Sequence, residues 1–214
     1  MRQTIFDLDG TLVDSLPGIA WSVDAALRSC GMAPANRDLA PLIGPPVRDI
    51  LATVSGATDA ALLDRLERGF RASYDSGGWR RTACHAGVHE MLRRLSASGE
   101  RLWLVTNKPR LATDRILREL KLAGFFRETL CRDSRMPVFA CKAEMLRDLV
   151  QRRGMDREEC LMVGDTAEDA HAAEAAGIAC VIVPHGYGAP ALPPGCRRIE
   201  GWQELQEMRS EVTV

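Results

Sequence analysis

The chain has 214 residues, of which 46% are hydrophobic and 27% charged, and its formal net charge is −1. This balance is typical of a globular protein built as one large domain or as a domain with an insertion. A nearly neutral chain has no electrostatic reason to bind nucleic acid or an anionic membrane, so neither is expected as a partner.

Three further features bear on location. The first apolar segment begins within a few residues of Met1, which leaves no room for a secretory signal. No apolar run approaches the roughly 18 residues that a membrane span needs. The seven cysteines include no Cys-x-x-Cys pair, which favours reduced thiols over a disulfide framework or a zinc site. We therefore expect a cytoplasmic protein.

The first apolar segment leads into a pair of carboxylates. Residues 4–6 are β-branched or aromatic, which predicts a buried strand. Asp7 and Asp9 follow it two positions apart, and Gly10 permits the backbone angles of a tight turn. Such a pair could supply a nucleophile and a proton donor, and could together hold a divalent cation. For an Asp-x-Asp pair considered alone, an acidic turn without chemistry is the alternative.

The stretch from residue 15 to residue 80 carries helix signals and no convincing strand. Helices are predicted over residues 15–31, 37–42, 47–54 and 58–77. In the last of these, apolar residues recur every four positions, which gives the helix one apolar face. Strand–helix alternation begins only after this stretch, so we predict a helical subdomain inserted into an α/β core.

From residue 87 onward, helices and strands alternate. Strands are predicted over residues 101–105, 128–131, 160–163 and 178–183. Helices are predicted over residues 87–99, 109–120, 142–153, 167–176 and 202–208. Strands separated by helices of this length predict an α/β fold in which a parallel sheet carries helices on both faces.

Polar residues follow several of these strands at their carboxyl ends, where ligands bind in open α/β sheets. Asp7 can act as a carboxylate nucleophile, and Asp9 can protonate a leaving oxygen and then deprotonate water. Thr106, Asn107 and Lys142 would bind a phosphate group. The predicted Mg²⁺ ligands are Asp7, Asp9 and Asp165.

These residues resemble, in order, the motifs of the haloacid dehalogenase superfamily. The four matching segments are Asp7-Leu8-Asp9-Gly10-Thr11, Thr106-Asn107, Lys142 and Gly164-Asp165-x-x-x-Asp169. Asn107-Lys108-Pro109 and Ala175-Ala176-Gly177 also look like its phosphoglycolate phosphatase branch. At the third motif the sequence departs from the Lys-Pro-x-Pro that is frequent in this branch, because Lys142 is followed by Ala143 and Glu144.

The resemblance implies a fold, an activity and a cofactor, and it implies a supporting role for Asp169 at the metal site. It implies a Rossmann-like catalytic core of residues 1–15 and 82–214, with a helical cap of residues 16–81. The implied activity is Mg²⁺-dependent hydrolysis of a small, phosphoglycolate-like phosphomonoester through an aspartyl-phosphate. Within the cap, Gly44-Pro45-Pro46-Val47-Arg48 resembles a substrate-facing loop of this branch. Arg48 could meet a second anionic group of the substrate, or it could be a solvated arginine on a short helix.

Two other functions remain open at this stage. A phosphomutase of the same superfamily would also keep Asp9, and it would return the phosphoryl group to its substrate instead of releasing phosphate. A catalytically silent binding protein is the alternative from a different class, because fold alone does not establish activity. The sequence is compatible with a monomer or a homodimer.

Overall fold

The structure is a computed structural model that describes residues 1–188, 192–193 and 195–210. The strands are β1 (Gln3–Phe6), β2 (Val13–Asp14), β3 (Ala83–Cys84), β4 (Arg101–Thr106), β5 (Phe126–Cys131), β6 (Cys160–Gly164), β7 (Ala179–Ile182) and β8 (Cys196–Arg198). The α-helices are α1 (Leu16–Ser29), α2 (Val47–Ser55), α3 (Ala60–Ser76), α4 (Val88–Ala97), α5 (Arg110–Glu119), α6 (Lys142–Arg152), α7 (Ala167–Ala176) and α8 (Trp202–Ser210). Residues 189–191, 194 and 211–214 of the predicted core lie outside the described residues.

Six strands form one parallel sheet in the order β5-β4-β1-β6-β7-β8. The first strand of the chain, β1, lies inside this sheet, between β4 and β6. The strand order therefore reverses at β1, and the crevice outside the carboxyl ends of strands at such a point is where ligands bind. The predicted α/β parallel sheet is confirmed.

The sheet separates two hydrophobic cores, because successive side chains of a strand point to opposite faces. Ile5 packs in one core with Met145 of α6, and Phe6 packs in the other with Met91 of α4. The second core extends into the helices that precede β3, where it includes Leu66 of α3. Helices on both faces of the sheet, as predicted, cover its apolar side chains.

Residues 16–81, which we call the helical segment, lie between the short antiparallel strands β2 and β3. Asp59 caps α3 by accepting the N–H of Leu62 at 2.8 Å. Helix α1 packs along α3 and against the following 3₁₀ turn, Gly78–Arg81. A Cβ atom at Gly18 would lie 2.2 Å from the Gly78 carbonyl oxygen, so this close approach requires glycine. The chain between β2 and β3 is helical, as predicted, while the division into a core and a cap of residues 16–81 stays a prediction.

Some local predictions were incomplete or wrong. Strands β2, β3 and β8 were not predicted, because two or three residues are too few to show a strand period. The helix predicted over residues 37–42 is only a 3₁₀ turn at Ala40–Leu42, in a region that prolines divide. Within the described residues, no helix has the length and apolar character to cross a membrane.

Candidate active site

Asp7 lies directly after β1, with its carboxylate buried at the carboxyl edge of the sheet. Its N–H donates to the carbonyl oxygen of Val163 at 2.9 Å, which fixes the backbone of Asp7 to β6. Its Oδ1 atom accepts a hydrogen bond from Lys142 Nζ at 2.8 Å. Burial raises the pKa of Asp7 well above its usual value of 3.8, against the lowering effect of the Lys142 charge. The structure thus places this carboxylate beside one buried cation.

Lys142, the first residue of α6, lies between two carboxylates. Its Nζ atom is 2.8 Å from Asp7 Oδ1 and 2.6 Å from Asp169 Oδ1, and its side chain is 2% exposed. Burial alone would lower the pKa of Lys142, but the charges of Asp169 and Asp7 raise it well above 10.5. The ammonium group therefore stays protonated at neutral pH and compensates both carboxylates.

Asp169 fixes the loop between β6 and α7. Its Oδ2 atom accepts hydrogen bonds from the N–H groups of Asp165 at 3.1 Å and Thr166 at 3.0 Å, and from Thr166 Oγ1 at 2.8 Å. A Cβ atom at Gly164 would lie 2.3 Å from Asp169 Cβ, so glycine at this position lets the loop close on the carboxylate. The other oxygen, Oδ1, accepts a hydrogen bond from Lys142, so both carboxylate oxygens of Asp169 are hydrogen-bonded.

Asp165 is 1% exposed and bonded through both carboxylate oxygens. Oδ1 accepts from Thr11 Oγ1 at 3.1 Å, and Oδ2 accepts from the N–H of Tyr187 at 2.8 Å. Burial, with the negative charge of Asp169 as the next cause, raises the pKa of Asp165 to about 7. A Cβ atom at Gly10 would lie 2.2 Å from Asp165 Oδ2, so this glycine permits the first loop to approach the carboxylate.

Asp7, Asp165 and Asp169 each place a carboxylate oxygen within 4.8 Å of the others. A buried, oxygen-rich group of carboxylates is the donor set that a hard divalent cation such as Mg²⁺ prefers. Burial raises the pKa of both Asp7 and Asp165 above 3.8, and a bound cation would offset this cost of burying the two charges. The residues present therefore fit a divalent cation. Asp9, also predicted as a metal ligand, is not one of the carboxylates in this cluster.

The carboxylate of Asp9 binds Lys108 instead. Lys108 Nζ lies 2.9 Å from both oxygens of Asp9 and 5.0 Å from the centre of the Tyr74 ring. Burial would lower the pKa of Lys108, but the Asp9 carboxylate raises it. Lys108 was noted in the sequence only as part of an Asn-Lys-Pro motif. A buried lysine almost always has a charged partner, but nothing in the sequence shows that Lys108 is buried. The pairing of Lys108 with Asp9 was therefore not predicted.

Thr106 is the last residue of β4, and Asn107 follows it directly. Thr106 is 1% exposed, and its Oγ1 atom accepts the N–H of Lys108 at 3.1 Å. Asn107 Nδ2 donates to the Gly44 carbonyl oxygen at 2.9 Å and to Glu168 Oε1 at 2.8 Å. The Asn107 amide thus connects the core to the helical segment, while its Oδ1 atom is buried with no hydrogen-bond partner among the described residues. Their role in phosphate binding stays a prediction.

A cavity of about 600 Å³ opens between the sheet edge and the helical segment. Its lining includes Asp7, Asp9, Thr106, Asn107, Lys108 and Lys142 from the core, and Ile43, Val47, Arg48, Phe70 and Tyr74 from the helical segment. Arg48 lies in this lining, but its Nη1 atom pairs with Asp64 Oδ1 at 2.7 Å and with Glu67 Oε2 at 3.2 Å. The structure therefore brings Arg48 to the cavity with its charge already shared by two carboxylates.

Comparisons with known proteins identify the family of this chain. The family model described as haloacid dehalogenase-like hydrolase matches residues 4–183. A phosphoglycolate phosphatase of Pseudomonas savastanoi pv. phaseolicola is 36% identical over 197 residues, which cover 87% of this chain and 70% of that protein. The tyrosine-protein kinase PtkA of Mycobacterium tuberculosis is 34% identical over 195 residues, which cover 87% of this chain and 63% of that protein.

A solved structure extends the likeness to the whole fold. The haloacid dehalogenase-like hydrolase from Streptococcus pneumoniae superposes with a TM-score of 0.85 over 98% of both chains, at 23% identity. The match to the family model includes the four motif segments and the strands that carry them. Together with the close relatives, it confirms the resemblance drawn from the motifs. The chain belongs to the haloacid dehalogenase-like hydrolase family.

Proposed function

We propose that this hydrolase is a Mg²⁺-dependent phosphatase that cleaves a small phosphomonoester through an aspartyl-phosphate on Asp7. One observation carries the proposal: a buried carboxylate beside Lys142 and Asp165 lines a cavity at the point where the strand order reverses. The relatives bear names of enzymes that transfer phosphoryl groups, which supports the same chemistry. We expect the protein to act in the cytoplasm, as a monomer or a homodimer.

The first step would be attack by an Asp7 carboxylate oxygen on the phosphorus atom. A bond forms from Asp7 to phosphorus, the bond to the leaving alcohol breaks, and Asp9 gives the leaving oxygen a proton. In the second step Asp9 takes a proton from water, whose oxygen attacks phosphorus and frees the Asp7 carboxylate. Lys108, bonded to both oxygens of Asp9, would hold that side chain in place between the two steps.

Asp7 and Asp165 would hold Mg²⁺, with Asp169 in a supporting role because it also accepts bonds from Lys142 and from two backbone N–H groups. When bound, the cation would offset the repulsion between a carboxylate nucleophile and an anionic phosphate. Lys142 would add a fixed positive charge on the same side as Asp7. Thr106 would add a hydroxyl group, as the sequence predicts.

We propose that the helical segment, residues 16–81, acts as a cap on a core of residues 1–15 and 82–214. The cavity is lined from both sides, and the Asn107 amide already contacts the Gly44 carbonyl oxygen of the segment. The paired strands β2 and β3 carry the chain out of the core and back. A lid in this place would exclude bulk water during phosphoryl transfer.

Asp7→Asn tests the proposal directly. The parent should release phosphate from para-nitrophenyl phosphate with Mg²⁺, and the variant should lose on the order of 10⁶-fold in kcat, because an amide cannot form the acyl phosphate. Asp49→Asn is a matched control, since Asp49 is an exposed carboxylate in the same cavity lining. Activity of Asp7→Asn within tenfold of the parent would rule out this nucleophile. With a hexose phosphate as the substrate, an isomerised hexose phosphate without free phosphate would favour the phosphomutase.

A further inference from the structure

Five cationic side chains line the cavity, and their ion pairs set one of them apart. Four of the five pair with carboxylates: Arg48 with Asp64 and Glu67, Arg71 with Glu67, Lys108 with Asp9, and Lys142 with Asp7 and Asp169. The fifth, Arg132, forms no side-chain hydrogen bond or ion pair with any residue that the structure describes. Its positive charge is therefore the one in this lining that remains available to an anion.

Arg132 also stands close to the reacting groups along the sheet. It is the first residue after β5, whose last residue, Cys131, pairs in register with Thr106. Neighbouring strands lie about 4.8 Å apart, so the backbone of Arg132 is one strand and one residue away from Thr106. Arg132 and Asp7 line the same cavity. A ligand whose phosphate sits beside Asp7 would thus have its other end within the reach of an arginine.

The turn that carries Arg132 is fixed by hydrogen bonds. Ser134 Oγ accepts the N–H of Cys131 at 2.8 Å, and the Ser134 N–H returns a bond to the Cys131 carbonyl oxygen at 3.0 Å. The carbonyl oxygen of Arg132 itself accepts the N–H of Phe139 at 3.0 Å, and Phe139 is 1% exposed. A half-buried arginine on a fixed backbone loses less conformational freedom on binding than one on a free loop.

We propose that Arg132 binds a carboxylate on the leaving-group side of the substrate and thereby selects carboxylated phosphomonoesters. This inference rests on the proposed phosphatase function and deepens it. A guanidinium matches a carboxylate through two parallel hydrogen bonds, which fixes the orientation of the substrate as well as its charge. From the sequence, Arg48 is a candidate for this role, but Asp64 and Glu67 already share the charge of Arg48.

The test compares two substrates that differ only in the carboxylate. Phosphoglycolate and ethyl phosphate both have two-carbon leaving groups, and ethyl phosphate lacks the second anion. Arg132→Ala should raise KM for phosphoglycolate about 10- to 100-fold, as expected for the loss of a charge-assisted hydrogen bond, and should leave KM for ethyl phosphate within about twofold. Arg71→Ala is the matched control, because Arg71 lines the same cavity but pairs with Glu67.

Charge reversal separates binding from a structural role. Arg132→Glu should favour phosphoethanolamine, which carries an ammonium group in place of the carboxylate, over phosphoglycolate. Equal losses on phosphoglycolate and ethyl phosphate would mean that Arg132 binds the phosphoryl group, which overturns the proposal. So would a loss of carboxylate preference in Arg48→Ala instead of Arg132→Ala. A parent protein that releases phosphate from none of the substrates would refute the proposed function itself, which is a distinct result.

Discussion

Lys142→Met removes a buried ammonium group from between two carboxylates. Methionine has a similar length and no charge, so the variant loses the 2.8 Å bond to Asp7 and the 2.6 Å bond to Asp169 without leaving a large cavity. Removing one partner of a buried ion pair costs about 3–5 kcal/mol, because the other charge stays buried and unpaired. Asp169 keeps its bonds to Asp165 and Thr166, so Asp7 should bear most of the loss.

The stability that Lys142→Met loses should depend on pH in a defined direction. Burial already raises the pKa of Asp7 above 3.8, and loss of Lys142 should raise it further. A carboxyl group with a raised pKa binds its proton more tightly in the folded state than in the unfolded chain. Stability of the variant should therefore fall as pH rises above 3.8 and through the raised pKa. We expect a loss of about 3 kcal/mol at pH 7 and a smaller loss at pH 5.

Urea unfolding followed by tryptophan fluorescence measures this loss in the parent, in Lys142→Met and in the double variant Asp7→Asn, Lys142→Met. The double variant should regain part of the stability, because the unpaired carboxylate is gone. Lys121→Met, at an exposed lysine, is the matched control. A loss below about 1 kcal/mol, or a double variant no more stable than the single one, would contradict the reasoning.

Two further predictions concern Asp9 and the metal. Lys108→Met should lower kcat about 10- to 100-fold and shift the pH profile of kcat, because Asp9 loses the ammonium bonded to both its oxygens; an unchanged profile would exclude this role. Asp165→Asn should abolish the rise in Tm on adding Mg²⁺, and in EDTA it should match or exceed the parent in Tm at pH 8. The reason is that burial raises the pKa of Asp165 from 3.8 to about 7, so this group costs the metal-free parent stability as pH rises through that window. A full Mg²⁺ response in Asp165→Asn would remove this carboxylate from the metal site.

Much of the fold was predictable because local patterns agree with the tertiary structure. The apolar run at residues 4–6 matches β1, and the four-residue apolar spacing around Leu66 and Phe70 matches α3. Strand β8 escaped prediction, since two of its three residues are arginines at the edge of the sheet. Short strands such as β2 and β3 owe their existence to pairing with each other, which a single sequence does not show.

Only those residues of the site that belong to the ordered motifs could be predicted from the sequence. Lys142 contacts Asp7 across 135 positions of sequence, and no local sequence pattern predicts that contact. Only the family resemblance placed Lys142 at the site. The pairing of Lys108 with Asp9 and of Arg48 with Asp64 escaped prediction, because each depends on which helices and loops pack together. The availability of Arg132 likewise follows from how the other cations of the cavity are paired. Charge pairing in a cavity is thus a tertiary property.

The central claim is that Asp7 carries the phosphoryl group, and an acid-quench experiment tests it most directly. The enzyme is mixed with radiolabelled substrate and Mg²⁺, quenched in acid within one turnover, and mapped by peptide mass spectrometry. Label should appear on the peptide with Asp7, should be released by hydroxylamine as expected of an acyl phosphate, and should be absent in Asp7→Asn. The account would be contradicted if the parent turned over fully and no labelled protein appeared at any quench time. The same absence of label should then hold in an Asp9→Asn variant, in which water attack is slowed.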